Sequence, residues 1–406
     1  MYTGPYSAIK VSDHVYWVGA IDWTVRDFHG YATERGSTYN AYLILGDKIT
    51  LIDTVEPEFK NQLLARISSV IEPSRIDYII SNHSEPDHAG ALAEVAALVQ
   101  PEKIFASKMG VRNLQAHFHQ PLNLVPVATG DKLSLGNLTL EFIETRMLHW
   151  PDSMFTFLVE DGVLFSSDAF GMHLASNARF DDQIDDWEYE AVKYYANILL
   201  PYSGLVPELL DEVAAMNLPI KIIAPAHGFI WRKDLQTIQS LYRRWAEQKP
   251  TKKVVVAYDT MWGSTAKMAD AIMEGLWSGG VEPKGMDLRV THRSDVVAEL
   301  LEAGGLIIGT STLNNGLLPR VGELLTYIKG LRPRNLQTFV FGSYGWSGEA
   351  VGQVEKLFDE MGLGVFREGI RSWYVPNQEV LEACFNAGQE FAAQLLETIR
   401  REEGNA

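Results

Sequence analysis

The spacing of apolar and polar residues changes character part-way along this 406-residue chain. Up to about residue 249, short apolar runs of strand length follow one another at 41–45, 50–53, 77–80, 123–127 and 155–159. Helical spacing intervenes, as at 89–99. That mixture is compatible with two sheets covered by helices. From residue 254 the pattern alternates strictly. Strands are expected at 254–258, 306–309, 338–342 and 365–373, and helices at 266–277, 320–329, 349–361 and 379–400. This rhythm predicts a parallel sheet with helices on both faces, whose ligands bind outside the carboxyl ends of the strands. The polar stretch 248–253, with Pro250 inside it, marks the change, so the expected domains are residues 1–249 and 250–406.

Chemistry-bearing side chains gather where the runs of the first half stop. Just after the apolar run 76–80 stand four potential metal ligands, His83, Glu85, Asp87 and His88. They fall on a strand-to-helix loop, where side chains from a rigid scaffold converge. His83 and Glu85, two apart, point the same way on an extended backbone. Asp87 and His88 open the next helix, within reach of a second metal. One mononuclear site rarely needs so many ligands from one loop, so two metals are expected. Further along, His149 follows the run 138–143, Asp168 closes the run 163–168, and His227 follows 222–226. Each alone reads equally well as a polar residue at a turn. As a set, their types and spacings agree with a metal centre.

The second half offers three loops after three expected strand ends. The first is Thr260, Met261, Trp262, Gly263, Ser264 and Thr265, leading straight into a helix. A helix N-terminus presents free N–H groups and a positive dipole end, and hydroxyls add donors, so a phosphate can be held without a basic residue. Neither a Walker loop nor a Gly-x-Gly-x-x-Gly fingerprint is present. The second loop runs through Thr312, Leu313, Asn314, Asn315 and Gly316, and the third through Ser343, Tyr344, Gly345, Trp346, Ser347 and Gly348. Small residues, amides and aromatic planes at an open sheet edge suit a flat heteroaromatic ring.

The His-x-Glu-x-Asp-His motif, followed by His149, Asp168 and His227, resembles the diiron variant of the metallo-β-lactamase fold found in flavodiiron proteins. The dizinc hydrolases of that fold carry a second His where Glu85 stands here. This exchange moves the donor set toward carboxylate, which suits iron better than zinc. The second half is similar to flavodoxin. Flavodoxins usually have Thr at the position of Trp262, whereas flavodiiron proteins commonly carry Trp, so the fusion family is the better match. The resemblance implies an α/β two-domain fold: an N-terminal metallo-β-lactamase-like αββα sandwich and a C-terminal flavodoxin-like doubly wound parallel sheet. It implies two non-haem irons, one on His83, Glu85 and His149, the other on Asp87, His88 and His227, with Asp168 bridging. It also implies FMN, with its phosphate at 260–265 and its ring between the other two loops. One tyrosine of the Tyr194–Tyr195 pair, expected to be Tyr195, would stand near the irons. The implied activity is reduction of O2 to water, NO to N2O, or both, in a head-to-tail homodimer or a tetramer built from it.

Composition narrows the partners. A net charge of −17 disfavours nucleic acid, whose phosphates would be repelled. The single cysteine, Cys384, excludes a disulfide framework and any cysteine-ligated cluster, and reads as a packed thiol. With no signal-peptide pattern and no run of membrane-spanning length, a soluble cytoplasmic protein is expected. Nine of the ten histidines precede residue 248, which confines the metal chemistry to the first half. Electrons are expected from a separate protein, rubredoxin by resemblance, because the chain supplies neither four cysteines nor a dinucleotide fingerprint. His173 reads as a helix-cap histidine, and the acidic run 181–190 as a solvated face or a dock for a basic donor. The competing reading is a dizinc hydrolase carrying a flavodoxin as a binding module. Glu85 argues against it, and a flavin shuttle alone would leave seven ligand-type residues unexplained.

Overall fold

A computed structural model describes residues 5–404. They divide into two compact units, one of residues 5–29, 33–194 and 202–243, the other of residues 30–32, 195–201 and 244–404.

The first unit contains two large sheets. One has seven strands, in spatial order Ile9–Lys10, Val15–Trp17, Tyr42–Ile44, Thr50–Ile52, Tyr78–Ser81, Lys103–Ser107 and Leu124–Val127. The other has five, Lys132–Ser134, Thr139–Glu144, Met154–Leu158, Val163–Phe165 and Ile222–Ala224. Successive side chains of a strand point to opposite faces, and both faces of the larger sheet are covered. Ile44, Ile52, Ile80 and Phe105 enter one core with Leu140, Phe142, Met154 and Phe165 of the smaller sheet. Their neighbours Leu43, Leu51, Ile79 and Ile104 enter a second core with Leu63, Ile67, Leu92 and Val95 from helices. This is why the strands are continuous apolar runs instead of alternating ones. Burial of each such side chain is worth about 1.5–3 kcal/mol. The expected helix 89–99 is split into Pro86–Ala89 and Leu92–Val99.

The second unit is a five-stranded parallel sheet in the order Glu282–Asp287, Lys253–Tyr258, Gly305–Ser311, Gln337–Tyr344 and Ile370–Trp373. The first of these, and the helix Arg293–Leu300 after it, were not expected from the pattern. That strand holds Pro283 and Gly285 and is mostly exposed, which an edge position tolerates. The expected strand 365–373 shortens to Ile370–Trp373, with Val365 making only an isolated bridge to Thr338. Helices Ser264–Ser278 and Gln378–Gly404 pack closely, Gly275 and Gly388 lying where a Cβ would strike the other helix's backbone. Cys384 is buried among Met268, Ile272 and Leu276 of this core, and burial pushes its thiol up to about 12. Among the described residues, no helix is long and apolar enough to cross a membrane.

Candidate metal centre and flavin cradle

Four separate stretches of chain converge at the ends of strands in the first unit. After Tyr78–Ser81 the chain passes His83, and Glu85 is extended, as a residue before proline must be. Pro86 then opens the short helix carrying Asp87 and His88, at the position where a missing N–H is harmless. His149 follows Thr139–Glu144, Asp168 follows Val163–Phe165, and His227 follows Ile222–Ala224.

Two groups of three result. In one, Glu85 Oε2 lies 3.2 Å from His83 Nε2 and 3.2 Å from His149 Nε2. In the other, Asp87 Oδ2 lies 3.1 Å from His227 Nε2, and its Oδ1 lies 3.4 Å from His88 Nε2. Asp168 stands between them. Its Oδ2 faces His149 and His83 at 3.4 and 3.6 Å, and its Oδ1 faces His88 and His227 at 3.1 and 3.5 Å.

Burying this much charge requires compensation. Burial alone would lower the imidazoles, but hydrogen bonds to Asp152 and Glu85 push His83 up to about 10. Asp168 and Glu85 likewise push His149 up to about 10, and the charges of Asp87 and Asp168 hold His88 at about 9. Burial would raise the carboxyls, yet the imidazoles hold Glu85 and Asp168 well below the carboxylate range. Protons therefore balance the cluster, and they do so incompletely. Asp87 Oδ1, His88 Nε2 and Asp168 Oδ2 are buried without a hydrogen bond, although each faces another member of the cluster. A divalent cation in each group would satisfy these atoms in place of protons.

Several supporting residues were not expected from the sequence. Asp152 Oδ2 accepts from the Ser84 amide at 2.7 Å and lies 3.1 Å from His83 Nδ1. His227 Nδ1 is 2.6 Å from the Thr38 carbonyl oxygen. The exposed His29 places Nε2 3.1 Å from Glu85 Oε1, beside a cavity of about 420 Å³ that Asp22, Tyr39, Glu56 and Asp87 also line. Of these, only Asp152 had a sequence signal, its place three residues beyond His149. The expected Tyr195 gives way to its neighbour. Tyr194 donates its hydroxyl to Asp168 Oδ1 at 3.0 Å, while Tyr195 sets its ring 5.3 Å from that of Trp245. Consecutive helical residues point about 100° apart, so the pair cannot share one direction. His173 lies in irregular chain and caps no helix; its Nδ1 is 2.7 Å from Ser37 Oγ and its ring is 4.9 Å from that of His227. The acidic run is partly spent on internal bonds. Asp181 accepts from the amides of Arg232, Lys233 and Asp234, and Asp182 pairs with Arg232.

In the second unit the three expected loops follow adjacent parallel strands. Gly263, at φ +84°, caps the helix Ser264–Ser278, and its amide donates to Thr260 Oγ1 at 3.1 Å. A Cβ there would meet nothing within 4 Å, so the turn borders open space. The first-turn N–H groups of that helix have no partner within it. Leu313 and Gly316 exchange hydrogen bonds of 3.0 and 2.9 Å across Asn314 and Asn315, both left-handed, as asparagine permits in so tight a turn. The Thr312 amide donates to the Ser343 carbonyl at 2.9 Å, joining the second loop to the third. Beneath them the hydroxyls of Thr265, Ser311 and Ser343 form a buried triangle with sides of 2.9, 3.0 and 3.1 Å. Above, Trp262 and Trp346 are 94% and 84% exposed. Trp373 joins this edge unanticipated, its Nε1 donating to the Gly345 carbonyl at 2.6 Å.

Residues 38–228 match the family model described as ODP family beta lactamase, and residues 256–388 match that of flavodoxin. The chain is 45% identical to a nitric oxide reductase of Moorella thermoacetica, over 96% of its own length and 99% of the relative's. The chain belongs to the flavodiiron protein family. Its fold is also that of solved flavodiiron structures. A rubredoxin oxygen:oxidoreductase from Desulfovibrio gigas matches with a TM-score of 0.95 at 42% identity, covering 97% of this chain and 100% of that one. The flavodiiron protein of Giardia intestinalis matches with a TM-score of 0.94 at 33% identity, covering 98% and 99%. As a flavodiiron protein, the chain is an oxidoreductase whose cofactors are FMN and a non-haem diiron pair. The residues present fit both. A mixed set of four imidazoles and three carboxylates, with unsatisfied buried atoms, suits two irons. An open, glycine-bordered sheet edge with exposed indoles suits a flavin.

Proposed function

We propose that this flavodiiron protein reduces dioxygen to water, nitric oxide to nitrous oxide, or both, with electrons relayed through FMN from a separate donor. The observation that carries the reading is Asp168, whose two oxygens face two different three-residue groups. His83, Glu85 and His149 would hold one iron, Asp87, His88 and His227 the other, and Asp168 would bridge both. Two ferrous ions and reduced FMN together supply four electrons, the number that takes dioxygen to water, and two adjacent metals favour coupling of two nitric oxide molecules by proximity. The protein's own residues hold the protons and the geometry. Burial, and then the charge of Asp168, raise the Tyr194 phenol well above its usual range, so it stays a neutral donor to Asp168. His29, raised by its hydrogen bond to Glu85, holds a proton at Nε2 on the open side of the cluster.

In the second unit, the loop Thr260–Thr265 would receive the FMN phosphate on backbone N–H groups. Residues 312–316 and 343–348 would flank the ring, with Trp262 and Trp346 offering planes. The electron donor in this reading is rubredoxin or a similar small carrier, which the name of a 42% identical relative, rubredoxin-oxygen oxidoreductase, supports. The reading extends to a head-to-tail homodimer, in which one subunit's flavin serves the partner's irons, and to a cytoplasmic location. Anaerobic stopped-flow with reduced rubredoxin, followed by mixing with O2 or NO, tests it. Consumption of four electrons per O2, or formation of one N2O per two NO, is the expected result. Two zincs per chain under iron-replete expression, with hydrolase activity and no diatomic consumption, would overturn it.

A further inference from the structure

The two groups of ligands are backed differently. His83 turns its Nδ1 to Asp152 Oδ2 at 3.1 Å, and both side chains are completely buried. The same oxygen accepts from the Ser84 amide at 2.7 Å, while the Asp152 carbonyl accepts from Ser107 Oγ at 2.8 Å. The imidazole and the amide thus meet on one carboxylate oxygen, while the Ser107 bond holds the backbone of Asp152 in place. An imidazole donating Nδ1–H to that oxygen can present only Nε2 as a lone pair, and Nε2 is the atom facing Glu85 and Asp168. His227 makes the corresponding bond to a neutral acceptor, the Thr38 carbonyl, at 2.6 Å. Another buried carboxylate lies nearby, Asp53, but it is spent on the amide and side chain of Asn82, at 2.7 and 3.2 Å.

We propose that Asp152 is a positioning residue for His83, and that its negative charge makes the His83, Glu85 and His149 site the more electron-rich of the two. A charged acceptor draws the Nδ1 proton toward itself and leaves Nε2 a stronger donor than a carbonyl partner does. Extra electron density would favour the ferric form, so an iron held by His83, Glu85 and His149 would have the lower potential of the two. The inference rests on the two-iron reading of the cluster.

Two substitutions separate position from charge. In Asp152→Asn, Oδ1 can still accept from His83 Nδ1 and from the Ser84 amide, so orientation is kept and the charge is lost. In Asp152→Ala both are lost. Iron content by elemental analysis, Mössbauer spectra of the ferrous protein and a redox titration followed by electron paramagnetic resonance are the readouts, with circular dichroism to establish folding. The Asn variant is expected to keep two irons per chain while one of its two potentials rises toward the other. The Ala variant is expected to bind iron at one site about 10- to 100-fold more weakly and leave the other unchanged. A folded Asn variant with both potentials unmoved overturns the charge assignment. Equal loss of iron from both sites in a folded Ala variant overturns the positioning role. Fewer than two irons in the unsubstituted protein would instead sink the two-iron reading itself.

Discussion

The two candidate sites solve opposite problems. In the metal unit, six buried side chains and the half-buried His149, from four stretches of chain, crowd charge into a small volume, and several polar atoms there lack hydrogen bonds. In the flavin unit, the loops after three adjacent parallel strands line an open edge, with hydroxyls and amides hydrogen-bonded to neighbouring side chains and their indoles in solvent. The first site is incomplete as a protein and needs its ions to satisfy it. The second carries no such cluster of buried charge and offers a surface. Loss of the ligand should therefore leave buried charge uncompensated in the first unit, whereas in the second it removes only the binding free energy of its occupant.

The strongest way to break that contrast is Asp168→Ala. Iron is expected to fall from two per chain to near zero, because both groups lose the oxygen they share, while FMN remains bound. Chelating iron from the unsubstituted protein should lower its unfolding free energy by about 3–4 kcal/mol if metal is supplied at 100 to 1,000 times its dissociation constant. Removal of FMN should leave the metal unit's melting unchanged. Calorimetry with metal and flavin analysis would show it; loss of FMN with the iron would contradict it.

A pH titration sharpens the contrast further. His83, His149 and His88 stand at about 10, 10 and 9 in the ion-free protein, above the ordinary 6.5. Groups raised on folding contribute stability that is complete below about pH 6.5 and is lost as pH rises through 9 to 10. The iron-free protein is thus expected to lose melting temperature across that window. With iron bound in place of those protons, the loss should disappear, and loading iron near pH 7 should release protons into a weak buffer. A flat profile for the iron-free protein would contradict the charge balance described above.

Smaller effects are expected from single contacts. Tyr194→Phe removes a hydrogen bond to a carboxylate and should cost about 1.5–3 kcal/mol in denaturant melts, with both irons retained. Tyr195→Phe should leave the metal spectrum unaltered. In the flavin unit, Gly263→Ala forces a left-handed backbone on a Cβ, for about 1–2 kcal/mol, and should weaken FMN binding roughly tenfold or less. Trp262→Ala should change stability by less than about 0.5 kcal/mol, since the side chain is almost wholly exposed, while FMN fluorescence and affinity change. A large destabilisation there would show the indole to be structural.

The contrast also explains what was legible in the sequence. The seven ligand-type residues stand out because they follow the ends of four apolar runs, and a chemically rare set at strand ends is visible in one dimension. The flavin loops are visible for the same reason, each lying between a strand and a helix. Partners brought in by the fold were not visible. His29 meets Glu85 across 56 positions, and Thr38 meets His227 across 189. Choosing between Tyr194 and Tyr195 needed the helix phase, which two adjacent tyrosines do not disclose. The strand Glu282–Asp287 was hidden because its burial pattern is largely that of a surface, with only Met286 fully inside.

The hydroxyl triangle of Thr265, Ser311 and Ser343 carries one last consequence. Three hydroxyls own three protons, and if each O–H donates to the next around the cycle, a closed ring uses every one of them. What the ring then turns outward is lone pairs, which an anion cannot use. A proton offered from it to a ligand must be withdrawn from a neighbour, at a cost of about 1 kcal/mol. A closed ring therefore offers an anion nothing until one O–H turns outward, and the task of holding negative charge falls first to the main chain.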